Sequence, residues 1–464
     1  RGLGDVYKRQ LVGPDAPRLI ENGHTFRDLN KNGKLDPYED SRLPIETRIE
    51  DLLSQMTVEE KAGLMFHSMI AMSNEGLLLE ERGPMSPAST SEYIFEKKIN
   101  HFNLYQIAPL KKTAEWYNRL QKMAESTRLG IPVTISSDPR HAFSDILGAS
   151  LFTEGFSHWP EPLGLAAAGD PELVEQFGDI ARQEYLAIGI RTALHPMADL
   201  ATEPRWARCN GTFGEDADLS AKMTAAYIRG FQGQELGPQS VACMTKHFPG
   251  GGPQKDGEDA HFTYGKDQVY PGDNFDYHLP PFEAAFGVKT AQIMPYYGRP
   301  LGLEIEEVAF GYNKDVITGL LREKYGFDGV VCTDWGLVND VKMMGQLIFP
   351  ARAWGVEELT ALERVQKIIE ADCDQFGGEF CPELVVDLVT SGAISEERIN
   401  QSVQRLLRDK FRLGLFDNPF VDPGAVENST GREDFVAAGE LAQRKSIVLL
   451  KNGDSQNGMA LPLK

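Results

Sequence analysis

Short apolar runs alternate with helix-like stretches between residues 62 and 376, and this alternation constrains the fold more than any other feature of the sequence. Most of the runs are almost continuously apolar, which is typical of parallel strands with helices on both faces. Helix-like stretches fill the gaps, for example across 313–325, across 356–369 and from Pro171, where Asp170 is a candidate N-cap. Strands joined by helical crossovers predict an α/β fold, a (β/α)8 TIM-like barrel. The candidate strands are 62–66, 101–107, 132–137, 192–197, 241–247, 291–297, 330–333 and 367–372.

The chain divides into four predicted regions. Residues 1–44 form an N-terminal extension, 45–380 the barrel, 381–440 a helical region with a linker, and 441–464 the start of a truncated second domain. Within the third region, 382–405 predicts two amphipathic helices joined by Ser391, Gly392 and Ala393. The run 446–452 (SIVLLKN) predicts a buried strand. No export signal precedes the barrel in this sequence, so the compartment is open, and a secreted or periplasmic location is the expectation if such a signal preceded Arg1.

Charge and cysteine content exclude several classes of protein. The 68 acidic residues outnumber the 47 basic ones, for a net charge of −21. This surface repels nucleic acid and anionic lipid, and no apolar run is long enough to span a bilayer. The five cysteines are irregularly spaced, which argues against a disulfide scaffold and a cysteine-rich zinc site. We expect free thiols, with a Cys373–Cys381 bridge as the alternative.

Polar residues lie at the C-terminal ends of several of the apolar runs. They are of several chemical types: carboxylate, ammonium, imidazole and phenol. Because the carboxyl ends of parallel strands converge on one mouth of a barrel, we expect these side chains to form a site there. A single polar residue at a strand end is usually a cap or turn residue, but a series of them is hard to explain that way. The residues are Asp138, Asp199, Lys246 with His247, Tyr296 and Asp334.

Four segments resemble glycoside hydrolase family 3, the family of β-glucosidases, β-xylosidases and related exo-acting enzymes. In chain order they are 203–208 (EPRWAR) with 211–216 (GTFGED), 246–252 (KHFPGGG), 326–335 (GFDGVVCTDW) and 446–452 (SIVLLKN). The resemblance implies a barrel followed by an α/β sandwich domain, of which 441–464 would be the start. It also implies a retaining, exo-acting β-glycosidase that removes terminal β-D-glucosyl or xylosyl residues from a small oligosaccharide or aryl glycoside. No cofactor is expected for this chemistry.

The resemblance makes Asp334 the nucleophile. A retaining glycosidase needs an ionised carboxylate held rigidly below the anomeric carbon, where it forms a glycosyl–enzyme intermediate. The strand end supplies rigidity, and Trp335 supplies an apolar wall for a sugar ring. The alternative is a strand-end aspartate that merely caps the next helix.

Other matched positions are implied to grip the sugar. Lys246 and His247 match the family pair that binds sugar hydroxyls, which suit these donors. Asp138, Arg208 and Tyr296 match further positions around the sugar. Two alternatives stay open from the residues: Arg208 could instead brace loops by pairing with Glu215 or Asp216, and we expect Asp199 to orient Arg208 or Lys246.

The proton donor is not identified by the sequence. In two-domain members of the family it is a glutamate of the second domain, which this chain barely enters. A branch that acts on N-acetylglucosaminides uses an Asp-x-His dyad, and Asp259-Ala260-His261 is similar but lies further from Lys246 than in that branch. We expect His261 to line the site as a binding residue. The alternatives are an N-acetylglucosaminidase that uses Asp259 and His261, and a carbohydrate-binding fragment without a complete catalytic apparatus.

A second motif lies outside the barrel. Residues 28–39 (DLNKNGKLDPYE) fit the twelve-residue calcium loop, with Gly33 at the sharp turn. The flanks do not complete a helix–loop–helix unit, and the alternative is a polar surface turn. We expect a structural calcium ion, with ligands from Asp28, Asn30, Asn32, Lys34, Asp36 and Glu39.

Overall fold

Eight parallel strands form a closed barrel at the centre of the molecule. The computed structural model describes residues 16–83, 86–146, 151–343, 346–453, 459 and 461. The sheet runs in the order β7-β6-β5-β4-β3-β2-β1-β8, and a parallel bridge from Cys332 to Gln375 joins β7 to β8. The predicted barrel is therefore confirmed. The strands are β1 (Phe66–Ile70), β2 (His101–Leu104), β3 (Thr134–Ser137), β4 (Ile190–Ala193), β5 (Ala242–Phe248), β6 (Gln292–Pro295), β7 (Val330–Val331) and β8 (Phe376–Gly377).

Helices surround the barrel and connect its strands. The two helices that precede β1 and the helices after β8 pack together: Glu396–Arg412 contacts Ile45–Gln55, and Pro382–Thr390 contacts Val58–Leu64. No helix in the described ranges is long and apolar enough to cross a bilayer. The remaining helices are Glu92–Glu96 and Asp315–Lys324, both of π type, and Leu110–Glu125, Pro162–Ala167, Pro171–Ile188, Ala217–Gln232, Pro280–Gly287, Ala361–Glu370, Val426–Ser429 and Glu433–Lys445.

Short elements decorate this frame. Two antiparallel hairpins pair Arg18–Glu21 with His24–Arg27, and Val341–Met343 with Gln346–Phe349. A two-residue parallel pair joins Asp267–Gln268 to Arg299–Pro300. Turns of 3₁₀ helix lie at Pro37–Glu39, Cys209–Gly211, Lys255–Gly257, Thr263–Gly265, Asn274–His278 and Phe310–Tyr312.

Side-chain caps fix where the longer helices begin. Asp170 accepts a hydrogen bond from Leu173 N at 3.1 Å, which confirms the predicted start at Pro171. That helix ends at Gly189, whose φ of +91° favours glycine. A Cβ at Gly189 would also lie 2.4 Å from the Tyr117 ring. The two helices predicted over 382–405 are confirmed, as is the junction between them.

Three predicted strands are wrong. Thr57 and Thr360 form capping boxes with Glu60 and Glu363, so residues 62–64 and 367–370 belong to helices. The strands β1 and β8 lie beyond those helix ends, and the helix predicted from 356 begins at Ala361. Apolar residues in the last turn of an amphipathic helix mimic a short buried strand. Residues 446–452 form no strand either, because no described segment pairs with them, and Leu450 is exposed.

The barrel interior combines apolar and polar side chains. Phe66 and Phe376 stack at 4.9 Å where β1 meets β8. Deeper in the barrel, His67 lies between Gln375 Oε1, 3.2 Å from Nδ1, and Ser136 Oγ, 2.7 Å from Nε2. Burial lowers the pKa of His67 to about 4, despite the Gln375 hydrogen bond, so the imidazole is neutral in the folded protein. All five cysteines are free thiols, as expected.

Acidification should remove stability through His67. In the unfolded chain its pKa returns to 6.5, so between pH 6.5 and about 4 the unfolded state binds a proton that the folded state does not. As the pH falls from 6.5 to about 4, the unfolding free energy of wild type should drop by about 3 kcal/mol more than that of His67→Gln, measured by urea denaturation at each pH. His24→Asn, at an exposed histidine, is the control. Parallel pH profiles of wild type and His67→Gln would contradict this.

Candidate active site

The predicted strand-end residues meet at the carboxyl end of the barrel. Four of the six, Asp138, Lys246, His247 and Asp334, line one cavity of about 600 Å³, and Asp199 lies behind its wall in contact with His247. Of the eight sequence-predicted site residues of the barrel, only Tyr296 is not on its wall; the adjacent Tyr297 is. The seven that line it are Asp138, Arg208, Lys246, His247, His261, Asp334 and Trp335.

Asp334 lies just past β7 and is 7% exposed. Its Oδ1 accepts a hydrogen bond from Trp335 N at 2.8 Å, which fixes the plane of the carboxylate. Its Oδ2 has no hydrogen-bond partner among the described residues. His247 Nε2 lies 3.9 Å from Oδ2. One oxygen is therefore held by the backbone, and the other is free to react or to accept a bond from a ligand.

A buried pair, Asp199 and His247, lies beside Asp334. Asp199 Oδ2 lies 2.8 Å from His247 Nδ1, and the carboxylate also accepts the backbone N–H groups of His247 and Gly251. Burial by itself would raise the Asp199 pKa, but His247 and these N–H groups outweigh it and lower the pKa. We predicted that Asp199 orients Arg208 or Lys246; it holds His247 instead.

These contacts set the proton positions on His247. Because Nδ1 faces a carboxylate, it carries the hydrogen, and Nε2 accepts from Arg208 Nη1 at 3.2 Å. Burial lowers the His247 pKa, against the opposing effect of Asp199, so the ring is neutral. Because the neutral ring carries no hydrogen on Nε2, His247 does not donate a strong hydrogen bond to Asp334 Oδ2.

Asp138 is held from two sides. Lys246 Nζ lies 3.1 Å from Oδ1, and both side chains of this ion pair are buried. Asn103 Nδ2, at the end of β2, donates to Oδ2 at 3.4 Å. Sequence reasoning missed Asn103, although it is a polar residue within the predicted strand 101–107. The two donors fix the carboxylate while leaving acceptor capacity on both oxygens for a ligand.

Arg208 contacts the site directly and does not brace loops. Its Nη1 donates to His247, its Nη2 points to Met197 Sδ at 3.7 Å, and its buried Nε has no partner in the described part of the chain. The predicted alternative, an ion pair with Glu215 or Asp216, is absent: the Asp216 side chain caps the helix Ala217–Gln232. Arg208 therefore has unused donors at the cavity wall.

Aromatic side chains form the remaining walls. Trp335 is partly buried, and its indole packs on Gly377 and Gly378, where an added Cβ would lie within 2.7 Å of the ring. Tyr297 lines the cavity and donates to Trp335 O at 2.7 Å. Tyr296 packs its ring 4.7 Å from that of His247 instead. Successive residues near a strand end point in different directions, and the sequence pattern alone did not distinguish the two tyrosines.

The Asp259–His261 pair also reaches this cavity. Asp259 Oδ1 lies 2.5 Å from His261 Nδ1 and accepts the His261 backbone N–H at 2.8 Å. The ring of His261 lies 4.7 Å from that of Tyr297. Although burial opposes ionisation, the His261 contacts lower the Asp259 pKa. The carboxylate orients the imidazole with Nε2 as its free nitrogen.

The calcium-loop motif folds as a compact turn. Asp28 accepts the backbone N–H groups of Asn32 and Gly33, each at 3.0 Å, and Glu39 accepts that of Leu29 at 2.6 Å. Gly33 has a φ of +76°. Across the described residues, no group of three or more histidine, cysteine, aspartate or glutamate side chains is arranged to hold a metal ion. The calcium ion stays a prediction.

Two relatives are similar to this chain along almost its whole length. A probable β-glucosidase C of Aspergillus flavus is 51% identical over 447 residues, which is 96% of this chain and 69% of the relative. A periplasmic β-glucosidase/β-xylosidase of Dickeya chrysanthemi is 44% identical over 480 residues, which is 99% of this chain and 72% of the relative.

The fold also matches a solved structure, a β-glucosidase of Erythrobacter marinus, with a TM-score of 0.74 and 24% identity. That match covers 90% of this chain and 52% of the solved one, so the chain spans about half the length of that structure. The model of the glycosyl hydrolase family 3 N-terminal domain matches residues 88–408. The family suggested by the four sequence segments is thereby confirmed: the chain belongs to glycoside hydrolase family 3.

Proposed function

We propose that the protein is a retaining, exo-acting β-glycosidase of β-glucosidase type, with Asp334 as its nucleophile. The observation that carries this proposal is the free Oδ2 of Asp334 in a cavity that also presents Asp138, Lys246 and His247. A polyol could bond to each of those three groups while its anomeric carbon lies above Oδ2. The names of the relatives, β-glucosidase and β-glucosidase/β-xylosidase, favour a glucosyl or xylosyl unit.

The proposed reaction has two steps. Asp334 Oδ2 bonds to the anomeric carbon as the glycosidic C–O bond breaks, and the departing oxygen takes a proton from the general acid, the role for which His261 is the candidate. Water then attacks the same carbon, the bond to Asp334 Oδ2 breaks, and the water gives its proton to the group that acted as the acid in the first step. Asp138 and Lys246 hold the sugar during both steps. The backbone N–H on Oδ1 keeps Oδ2 directed at the substrate, which lowers the cost of reaching the transition state.

Asp334→Ala should abolish formation of the glycosyl–enzyme. 2,4-Dinitrophenyl β-glucoside is the sharpest substrate, because dinitrophenolate leaves without a proton donor. Wild type should release a burst of about one dinitrophenolate per protein and gain the mass of one glucosyl unit on Asp334. The variant should show neither, with unchanged circular dichroism. An Asp334→Ala variant that keeps the wild-type burst would refute the assignment. If wild type binds glucose but shows no turnover, that result would instead support the alternative of a carbohydrate-binding fragment.

We propose His261 as a proton donor, on the observation that Asp259 orients it at the wall of the Asp334 cavity. This is the arrangement expected of an N-acetylglucosaminidase-type mechanism. His261→Ala should lower kcat/KM about 10²–10⁴-fold for an alkyl glycoside but leave the dinitrophenyl glycoside within about threefold of wild type. Equal losses on both substrates would mean that His261 only binds the substrate.

Parallel assays with β-glucosides, β-xylosides and N-acetyl-β-glucosaminides would identify the sugar.

Asp199→Asn should weaken sugar binding through His247. The amide can donate to Nδ1, which moves the hydrogen to Nε2, where it faces Arg208 and the free oxygen of Asp334. We expect glucose to bind about tenfold to a hundredfold more weakly by calorimetry, because a wrong tautomer costs an interaction worth about 1–3 kcal/mol. Asp409→Asn, at another buried carboxylate, is the control. Wild-type glucose affinity in Asp199→Asn would show that the tautomer does not matter.

We also propose an exported location, secreted or periplasmic, which the name of the Dickeya relative supports. Calcium in the loop 28–39 remains a further proposal.

A further inference from the structure

Glu379 is a buried carboxylate two residues beyond β8. It is 3% exposed and forms no ion pair within 4 Å with a described cation, although the more distant charge of Arg352 acts on it. Burial raises its pKa, although the N–H groups that face it act in the opposite direction. A buried carboxylate without a cation is costly unless several donors satisfy it. The sequence did not indicate Glu379, because the eighth strand was predicted too early in the chain.

Glu379 bonds to the segment that follows the nucleophile, residues 335–339, which we name the nucleophile loop. Its Oε1 accepts Val338 N at 2.8 Å and Asn339 N at 3.0 Å. Its Oε2 accepts Asn339 Nδ2 at 2.8 Å. Three donors from two adjacent residues therefore converge on one side chain. The Glu379 backbone is held in turn, because Ser68 Oγ donates to its carbonyl oxygen.

The end of β8 holds the chain on both sides of Asp334. Gly377 N donates to Thr333 Oγ1 at 2.9 Å, on the residue before Asp334. On the other side, two residues after Asp334, Gly336 N donates to Gly377 O at 3.0 Å. Glu379 extends this attachment by two more residues along the nucleophile loop. The N–H of Trp335 that fixes Asp334 Oδ1 lies inside the segment so held.

We propose that Glu379 is a positioning residue for Asp334: by fixing Val338 and Asn339, it keeps the nucleophile loop, and so the Trp335 N–H, where Asp334 needs it. This inference rests on the proposed function, in which Asp334 is the nucleophile. Only an acceptor at both oxygens suits the three donors. A glutamine here would turn an NH₂ group toward the Asn339 NH₂, so that either the two donors repel or the Asn339 amide turns over and loses its bond to Cys381 Sγ at 3.2 Å.

The experiment is an exchange of the two side chains. Glu379→Gln should lower the dinitrophenolate burst rate about tenfold to a hundredfold, since small displacements of a reacting group cost that much. The inhibition constant of glucose should stay within about twofold of wild type, because Asp138, Lys246 and His247 are untouched. The double variant Glu379→Gln/Asn339→Asp restores a donor–acceptor pair and should recover the rate to within about threefold.

The control is Asp409→Asn, which neutralises another buried carboxylate, one that accepts a hydrogen bond from Gln292 Nε2 at 2.8 Å. It should keep the wild-type burst rate. If Glu379→Gln does not fold, Asn339→Ala removes the Oε2 bond alone and should still slow the burst about tenfold with unchanged glucose inhibition.

Several results would overturn the inference: a wild-type burst rate in Glu379→Gln or in Asn339→Ala, no recovery in a folded double variant, or a loss of glucose affinity as large as the loss of rate. Failure of the proposed function gives a different result, because wild type itself would then show no glucosyl adduct on Asp334. A wild-type burst that depends on Asp334 but not on Glu379 sinks the inference alone.

Discussion

Parallel hydrogen bonding around a closed ring of eight strands is the constraint on which the rest of the molecule depends. Because every strand runs in the same direction, every carboxyl end opens on the same mouth. Asn103, Asp138, Lys246 and Asp334, which come from β2, β3, β5 and β7 or the residues just after them, therefore meet in one cavity. The ring closes between β7 and β8, its two shortest strands, through the parallel bridge from Cys332 to Gln375.

Burial of charge at this mouth is made tolerable by specific pairing. Lys246 with Asp138 and His247 with Asp199 are pairs in which both side chains are nearly or fully inaccessible to water. Removing one partner from such a pair leaves an uncompensated buried group, which costs far more than the pair contributes. The pairs also leave hydrogen-bonding capacity on the cavity side. The same contacts that stabilise the fold therefore leave hydrogen-bonding groups directed at the cavity.

Asp334 combines a rigid backbone with an oxygen that is available to a ligand. Asp334 has one oxygen fixed by the backbone and one without a protein partner. The chain on either side of it is attached to β8, which lies next to β7 only because the barrel is closed. Asp199 contributes at a distance by choosing the tautomer of His247. Asp199 and Glu379 act alike, since each is a buried carboxylate that accepts backbone N–H groups and thereby holds a neighbouring group in place.

The sequence by itself determined the barrel, its family and most of the residues at its mouth, because strand periodicity and the motifs around Lys246 and Asp334 are local patterns. It misplaced the first and last strands, since an amphipathic helix end and a short buried strand share the same apolar run. Only the tertiary structure distinguished Tyr297 from Tyr296, paired Asp199 with His247, and brought Asn103 and Glu379 to the site. Those contacts join residues that are distant in the chain, and side-chain direction and long-range proximity exist only once the ring of strands has closed.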